Sequence, residues 1–230
     1  MLSPNWNERP AGAPIDMLVL HYTGMPTAAA ALRRLCDPAA EVSAHYLVDE
    51  DGTVTALVPE EKRAWHAGAS WWQGRANLND VSIGIELVNP GHAWGYRPFP
   101  AAQMRAVAAL ARDILGRRPI PPSRVVAHSD IAPTRKEDPG ELFDWAFLAR
   151  TGVGLWPEAA GEAEPEPARA AACLARIGYP LAPQGVPFAA ALAAFQRRFR
   201  PACCDGRLDP ATMGRLLAVA ALCEAGPAIT

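Results

Sequence analysis

Apolar runs and alternations divide the first two thirds of the chain into strands and one long helix. Residues 15–20 read as an apolar run of strand length that ends at His21. Residues 45–48 and 53–58 flank Asp51-Gly52, a strong hairpin signal. Residues 81–88 alternate, with Val81, Ile83, Ile85 and Leu87 on one face and Ser82, Gly84 and Glu86 on the other. Glu86 is therefore expected to point away from the main apolar side. Residues 100–115 carry Met104, Val107, Ala108, Ala111 and Leu115 at helical spacing, and residues 124–127 form a short strand ending at His128. The expected fold is α+β, a mixed sheet flanked by helices.

The last third reads as helix throughout. A short Ala-rich helix is expected over residues 168–177. Phe188, Leu192, Phe195 and Phe199 form one apolar stripe at i, i+4, i+7 and i+11. Asp209 followed by Pro210 is an N-cap with proline at the first helical position, and Met213, Leu216, Leu217 and Ala220 follow it. Between the two parts, residues 157–167 are acidic, rich in proline and free of bulky apolar side chains, the composition of an extended linker. The expected division is a body over 1–157, a linker over 158–168 and a three-helix unit over 169–230. A unit of that size is small for a core of its own, so it should pack tightly or lean on the body.

Charge sharpens this division. Residues 1–168 hold 15 basic and 21 acidic side chains, and the remainder holds 7 basic and 3 acidic. The formal net charge of -2 argues against a general nucleic-acid binder. No apolar run approaches the length of a membrane span. The five cysteines, Cys36, Cys173, Cys203, Cys204 and Cys223, are odd in number and include no C-x-x-C, which fits neither a disulfide framework nor a cysteine metal site. The opening residues lack the apolar stretch of a secretory signal. Together with unpaired thiols this leads us to expect a reducing, cytoplasmic compartment. Arginine is abundant and lysine occurs only as Lys62 and Lys136. Most arginines thus carry little information, whereas Lys136 stands out in the polar run that follows His128.

Two histidines, His21 and His128, each follow a strand and open a loop, and Asp138 lies on a loop with Pro133 and Pro139 that limit its movement. Two imidazoles and a carboxylate suit zinc with a fourth position left to water. The alternative is two satisfied strand-end histidines and a loop-capping aspartate. A carboxylate within an apolar strand, as at Glu86, needs a polar cavity or a partner. Glu86 as general base with Lys136 as the cation at an oxyanion is one coherent set. A Glu86–Lys136 or Glu86–Arg salt bridge is the other. His45, which begins a strand, reads as structural. His66 lies in a loop with Trp65, Trp71 and Trp72 nearby, a setting for a sugar or peptide ligand or for a small aromatic core.

Several stretches resemble a known family. They are Leu18-Val19-Leu20-His21-Tyr22-Thr23, the stretch from Ser43 to Val48, Ala64-Trp65-His66-Ala67-Gly68, the stretch from Asn79 to Glu86, and the long polar motif from Ala127 to Gly140. These resemble the type 2 N-acetylmuramoyl-L-alanine amidases, which include the AmpD and AmiD amidases and are related to peptidoglycan recognition proteins. The tail, with the stretches from Ala194 to Arg200 and from Asp205 to Asp209, resembles the three-helix peptidoglycan-binding domain. The resemblance implies one zinc ion held by His21, His128 and Asp138, with Glu86 and Lys136 as the catalytic pair. It implies hydrolysis of the amide between the lactyl group of N-acetylmuramic acid and L-Ala of the stem peptide, in cytosolic recycling or at the envelope. The partner implied is a muropeptide or peptidoglycan fragment, and Trp65, His66, Asn79 and Arg135 are the expected contacts to it. A non-catalytic muropeptide binder is the competing expectation.

Overall fold

The computed structural model describes residues 2–224. Nine strands are present among them. They are β1 (Trp6–Glu8), β2 (Met17–Tyr22), β3 (Tyr46–Val48), β4 (Val54–Ala56), β5 (Lys62–Ala64), β6 (Trp71–Trp72), β7 (Arg75–Ala76), β8 (Ser82–Leu87) and β9 (Val125–Ala127). Seven α-helices accompany them: α1 (Ala28–Leu35), α2 (Ala101–Arg117), α3 (His128–Ile131), α4 (Trp145–Arg150), α5 (Pro167–Ile177), α6 (Phe188–Phe199) and α7 (Pro210–Glu224).

The central sheet has the order β4-β3-β8-β2-β9. β3, β8, β2 and β9 run parallel, and β4 returns antiparallel through the turn at Asp51-Gly52. Gly52 has φ +93°, a conformation that other residues adopt at a cost. Parallel strands need crossovers, and α2 lies in the one that runs from β8 past β2 to β9. Met17, Leu18, Val19 and Leu20 are fully buried because both sheet faces are covered. On one face, Leu18, Leu20, Ile83, Ile85 and Leu87 pack against Met104, Val107, Ala111 and Ile114 of α2. Leu115, expected in that stripe, is only partly buried, and Ile114 takes the inner position.

On the other face the tail leans on the body, as expected of a unit too small for a core of its own. A single apolar cluster runs from Met17, Val19, Val81 and Val126 through Trp72 and Ile131 into Leu174, Phe195, Phe199 and Leu216. The three tail helices thus share a core with the sheet. Asp209 caps α7 as expected, accepting from the Thr212 N–H at 2.8 Å. The acidic connection is extended but tethered, with the Ala163 N–H donating to the Pro210 carbonyl at 3.0 Å.

Two boundaries differ from expectation in ways that matter for the site. His21 lies inside β2, not after it, because pairing with β8 continues as far as Tyr22 opposite Leu87. His128 opens the single-turn helix α3 rather than a loop, because Asp130 Oδ2 accepts the Ala127 N–H at 2.9 Å and closes that turn.

His45 is a structural pin between strands. Its backbone N–H donates to the Gly84 carbonyl, and its Nδ1 accepts from the Gly84 N–H, both at 3.0 Å. The ring hydrogen therefore sits on Nε2, which faces the Lys62 carbonyl at 3.1 Å. Burial pushes its pKa down to about 4, and the charge of Arg9 adds to this, while the Lys62 carbonyl, Glu60 and Glu61 oppose it. The unfolded chain then binds more protons than the folded one between pH 6.5 and 4. The stabilisation is complete above pH 6.5 and is lost as pH falls toward 4, by about 3 kcal/mol at most. His45→Asn keeps an acceptor near Nδ1 and removes the titration. The expected outcome is a shallower loss of urea stability between pH 6.5 and 4.5 in the metal-free variant. Equal slopes in the variant and the parent would contradict this reading.

Candidate active site

The parallel sheet places its chemistry at the carboxyl ends of three adjacent strands. His21 near the end of β2 lies directly opposite Glu86 of β8 in the parallel register, so both side chains leave the sheet on the same face. His128 follows β9 immediately, on the other side of β2. Asp138 arrives on the loop after α3, and its carbonyl accepts the Ser129 N–H at 2.9 Å, which ties the two segments together.

The result is a tight triangle of donor atoms. His21 Nδ1 lies 2.9 Å from His128 Nδ1 and 3.0 Å from Asp138 Oδ2, and the third side is 2.9 Å. All three residues are buried. The outer ring atoms decide where the hydrogens are. His128 Nε2 faces the Ala67 carbonyl at 3.1 Å, so it must donate, and Nδ1 carries a lone pair. The Ser82 hydroxyl donates to the Leu78 carbonyl at 2.6 Å and so accepts from His66 Nε2 at 3.2 Å. That leaves His66 Nδ1 as the acceptor for His21 Nε2 at 3.0 Å, and His21 Nδ1 is also a lone pair. Burial pushes the His21 pKa down to about 4 and holds His66 well below its ordinary value, so both rings are neutral. Two bare nitrogens and a carboxylate oxygen therefore face one another with no hydrogen to share. Such a set fits a cation, and among the described residues these three form the one His/Cys/Asp/Glu group with metal-ligand spacing.

A cavity of about 300 Å³ opens over the triangle, lined by Trp65, His66, Glu86, His128, Lys136 and Asp138. Glu86 Oε2 is buried there without a hydrogen-bond partner. Burial raises the Glu86 pKa well above the usual carboxylate range, the charge of Asp138 adds to this, and Lys136 works against it. Neither salt bridge weighed for Glu86 from the sequence is present among the described residues.

The four expected substrate contacts occupy distinct places. Trp65 lines the cavity and its indole N–H donates to Asn7 Oδ1 at 2.8 Å. His66 is buried against His21, and its ring lies so close over β8 that a Cβ on Gly84 would come within 2.5 Å of it. Asn79 Oδ1 accepts the N–H groups of His66 and Ala67 at 3.1 and 2.8 Å, which fixes the loop they stand on. Arg135 Nη2 donates to the Ala67 and Ala69 carbonyls at 3.0 and 2.8 Å. Sequence reasoning missed Ser82 and the Ala67 carbonyl. A polar residue on the same strand face as Gly84 and Glu86 was the available signal for Ser82, whereas a backbone carbonyl leaves none.

A family profile described as N-acetylmuramoyl-L-alanine amidase matches residues 11–141. The N-acetylmuramoyl-L-alanine amidase AmiD of Escherichia coli (strain K12) is 42% identical over 222 residues, covering 86% of this chain and 79% of the relative. The 1,6-anhydro-N-acetylmuramyl-L-alanine amidase AmpD of Enterobacter cloacae is 37% identical over 161 residues, covering 63% of this chain and 84% of the relative. Among solved structures, the E. coli AmiD complex with the substrate anhydro-N-acetylmuramic acid-L-Ala-D-gamma-Glu-L-Lys superposes with a TM-score of 0.82 at 39% identity, over 93% of this chain and 91% of that one. Pseudomonas aeruginosa AmpDh3 in complex with anhydromuramic pentapeptide gives a TM-score of 0.79 at 34% identity, over 95% and 96% of the two chains. The chain is therefore a member of the N-acetylmuramoyl-L-alanine amidase family.

Proposed function

We propose that the protein is a zinc-dependent amidase that hydrolyses the amide between the lactyl group of an anhydro-muramyl residue and L-Ala of its stem peptide. The observation that carries this reading is the triangle of His21, His128 and Asp138 beneath a cavity that also holds the unpartnered Oε2 of Glu86. Two imidazole nitrogens and one carboxylate oxygen are a ligand set typical of catalytic zinc. The anhydro-muramyl peptides bound by the related AmiD and AmpDh3 structures support the substrate class. Five free thiols support a reducing compartment and hence soluble wall fragments as the substrate.

Zinc held by His21, His128 and Asp138 would supply a Lewis acid for the scissile carbonyl and would lower the pKa of a water in the site. Glu86 takes the proton from the attacking water at its free Oε2. The water oxygen bonds to the lactyl carbonyl carbon, and the carbonyl oxygen becomes an oxyanion. Lys136, half-buried at the cavity wall, offsets that charge with its ammonium. The proton held by Glu86 then passes to the alanine nitrogen as the C–N bond breaks, giving a carboxylic acid and a free amine; transfer of the acid's proton to the amine leaves a carboxylate and an ammonium. The raised pKa of Glu86 suits a group that must hold this proton between the two steps. Trp65 presents an aromatic face to the sugar or peptide, while Asn79 and Arg135 act by shaping the loop that carries Trp65 and His66.

The direct test is metal content together with turnover. The full chain should bind about one zinc per molecule, and it should release stem peptide from anhydro-muramyl tripeptide faster than from intact sacculi. A zinc-replete protein that binds the muropeptide without cleaving it would falsify the amidase reading. Lys136→Ala should keep zinc and lose about 100- to 1,000-fold in kcat, the usual cost of one oxyanion partner. Glu86→Gln should keep zinc and lose turnover, and near-parental rates in that variant would assign the base elsewhere. Gly84→Ala forces a methyl group into the His66 ring. It should weaken zinc binding about 10- to 100-fold in a chelator competition and lower urea stability by about 1–3 kcal/mol.

A further inference from the structure

The tail helices do more than cover the sheet. Helix α6 presents two consecutive arginines, Arg197 and Arg198, and each reaches a different segment of the metal site. Arg198 is 3% exposed and donates from Nη1 to Oδ2 of Asp130, itself 0% exposed, at 2.8 Å. The second oxygen of that carboxylate accepts from the hydroxyl of Tyr179, which follows α5, at 2.6 Å. Asp130 Oδ2 is also the acceptor that closes the α3 turn on the Ala127 N–H. His128 stands between Ala127 and Asp130, so the carboxylate held by the tail fixes the turn that aims His128 Nδ1. The Arg198 guanidinium lies over the Trp145 ring at 4.2 Å, which sets its own position. Arg197 turns the other way and approaches Glu137 at 3.5 Å and Glu141 at 3.8 Å, on either side of Asp138.

One helix of the tail therefore holds the His128 turn by a buried ion pair and places a second cation near the two carboxylates that flank Asp138. His21, on a central strand paired on both sides, needs no such support. His128 and Asp138 sit on a single-turn helix and a loop, where backbone pairing alone leaves more freedom.

We propose that α6, through Arg198 with Tyr179 and more weakly through Arg197, is a positioning element for the metal site that holds His128 and Asp138 against His21. This rests on the metal-site reading above. The tail then acts as an internal brace of the catalytic centre, whatever surface it also presents to a substrate.

Two variants of the full chain test it. Arg198→Met keeps the length of the side chain and removes the charge, and Tyr179→Phe removes one hydroxyl. In metal-free protein, amide hydrogen exchange over residues 127–140 should rise by about tenfold in both variants, while strands β2 and β8 keep their parental rates. Zinc affinity should fall by about tenfold or more, with KM for the muropeptide unchanged in zinc-saturated enzyme. Uniformly faster exchange across the sheet would make the contact a general stabiliser and overturn the proposal, as would parental exchange over residues 127–140. If Arg198→Met does not fold, Tyr179→Phe decides alone. Failure of the parent chain to bind zinc defeats the metal reading and leaves the exchange comparison to report on the brace by itself.

Discussion

Three acceptor atoms held within about 3 Å of one another, with no hydrogen among them, are the constraint around which this structure is arranged. Left to themselves, two imidazoles and a carboxylate would rotate until each nitrogen faced a donor or a carboxylate faced a protonated ring. That relaxation is blocked from outside. The Ala67 carbonyl claims the Nε2 hydrogen of His128, and His66 claims that of His21. Each claim fixes a tautomer and a ring plane, and so leaves Nδ1 pointing inward as a lone pair. The cost is mutual repulsion, which a cation placed among them would relieve. The arrangement suits a cation at the expense of the metal-free fold, as is common where function and stability compete.

The chain of contacts behind His21 explains several residue choices at once. His66 can accept from His21 only if its own hydrogen sits on Nε2, and Ser82 receives that hydrogen because its hydroxyl is committed to the Leu78 carbonyl. The His66 ring must lie flat over β8 to reach both neighbours, which leaves no room for a side chain at position 84. Asn79 holds the loop at the level this requires by accepting two consecutive backbone N–H groups. Ser82, Gly84 and Glu86, the polar face of one strand, are thus three parts of one device. The first fixes a tautomer, the second makes space and the third turns an unpartnered carboxylate oxygen into the cavity.

Much of this was legible in the sequence, and the limits have physical causes. The strand runs and the alternation of residues 81–88 placed His21 and Glu86 on one sheet face, because a period of two is enforced wherever one face is buried. The polar motif after His128 marked Asp138, which completes the triangle, and Lys136, which lines the cavity. What the sequence hid were contacts between distant segments. His66 reads as a ligand contact when only its aromatic neighbours are considered, and its bond to His21 spans 45 residues. The start of α3 at His128 was missed because the acceptor that closes the turn, Asp130, lies in a stretch that reads as loop.

The composition itself concealed the other buried contact. In a chain that uses arginine almost to the exclusion of lysine, a Gln-Arg-Arg-Phe-Arg run looks like a solvated helix face. The helical period argues otherwise for one of these residues. Phe195 and Phe199 are four apart and buried, and position 198 lies within the arc that α6 turns toward the sheet. An arginine there must find a carboxylate or unfold its surroundings, because leaving one member of a buried pair alone costs about 3–5 kcal/mol. Only a guanidinium can meet Asp130 at its edge while its face rests on Trp145. At Lys136 the opposite holds. A compact ammonium at the wall of a cavity of about 300 Å³ leaves open space that a guanidinium fork would fill. The two cations differ in kind because one is locked in a buried ion pair and the other stands half-buried beside an open cavity.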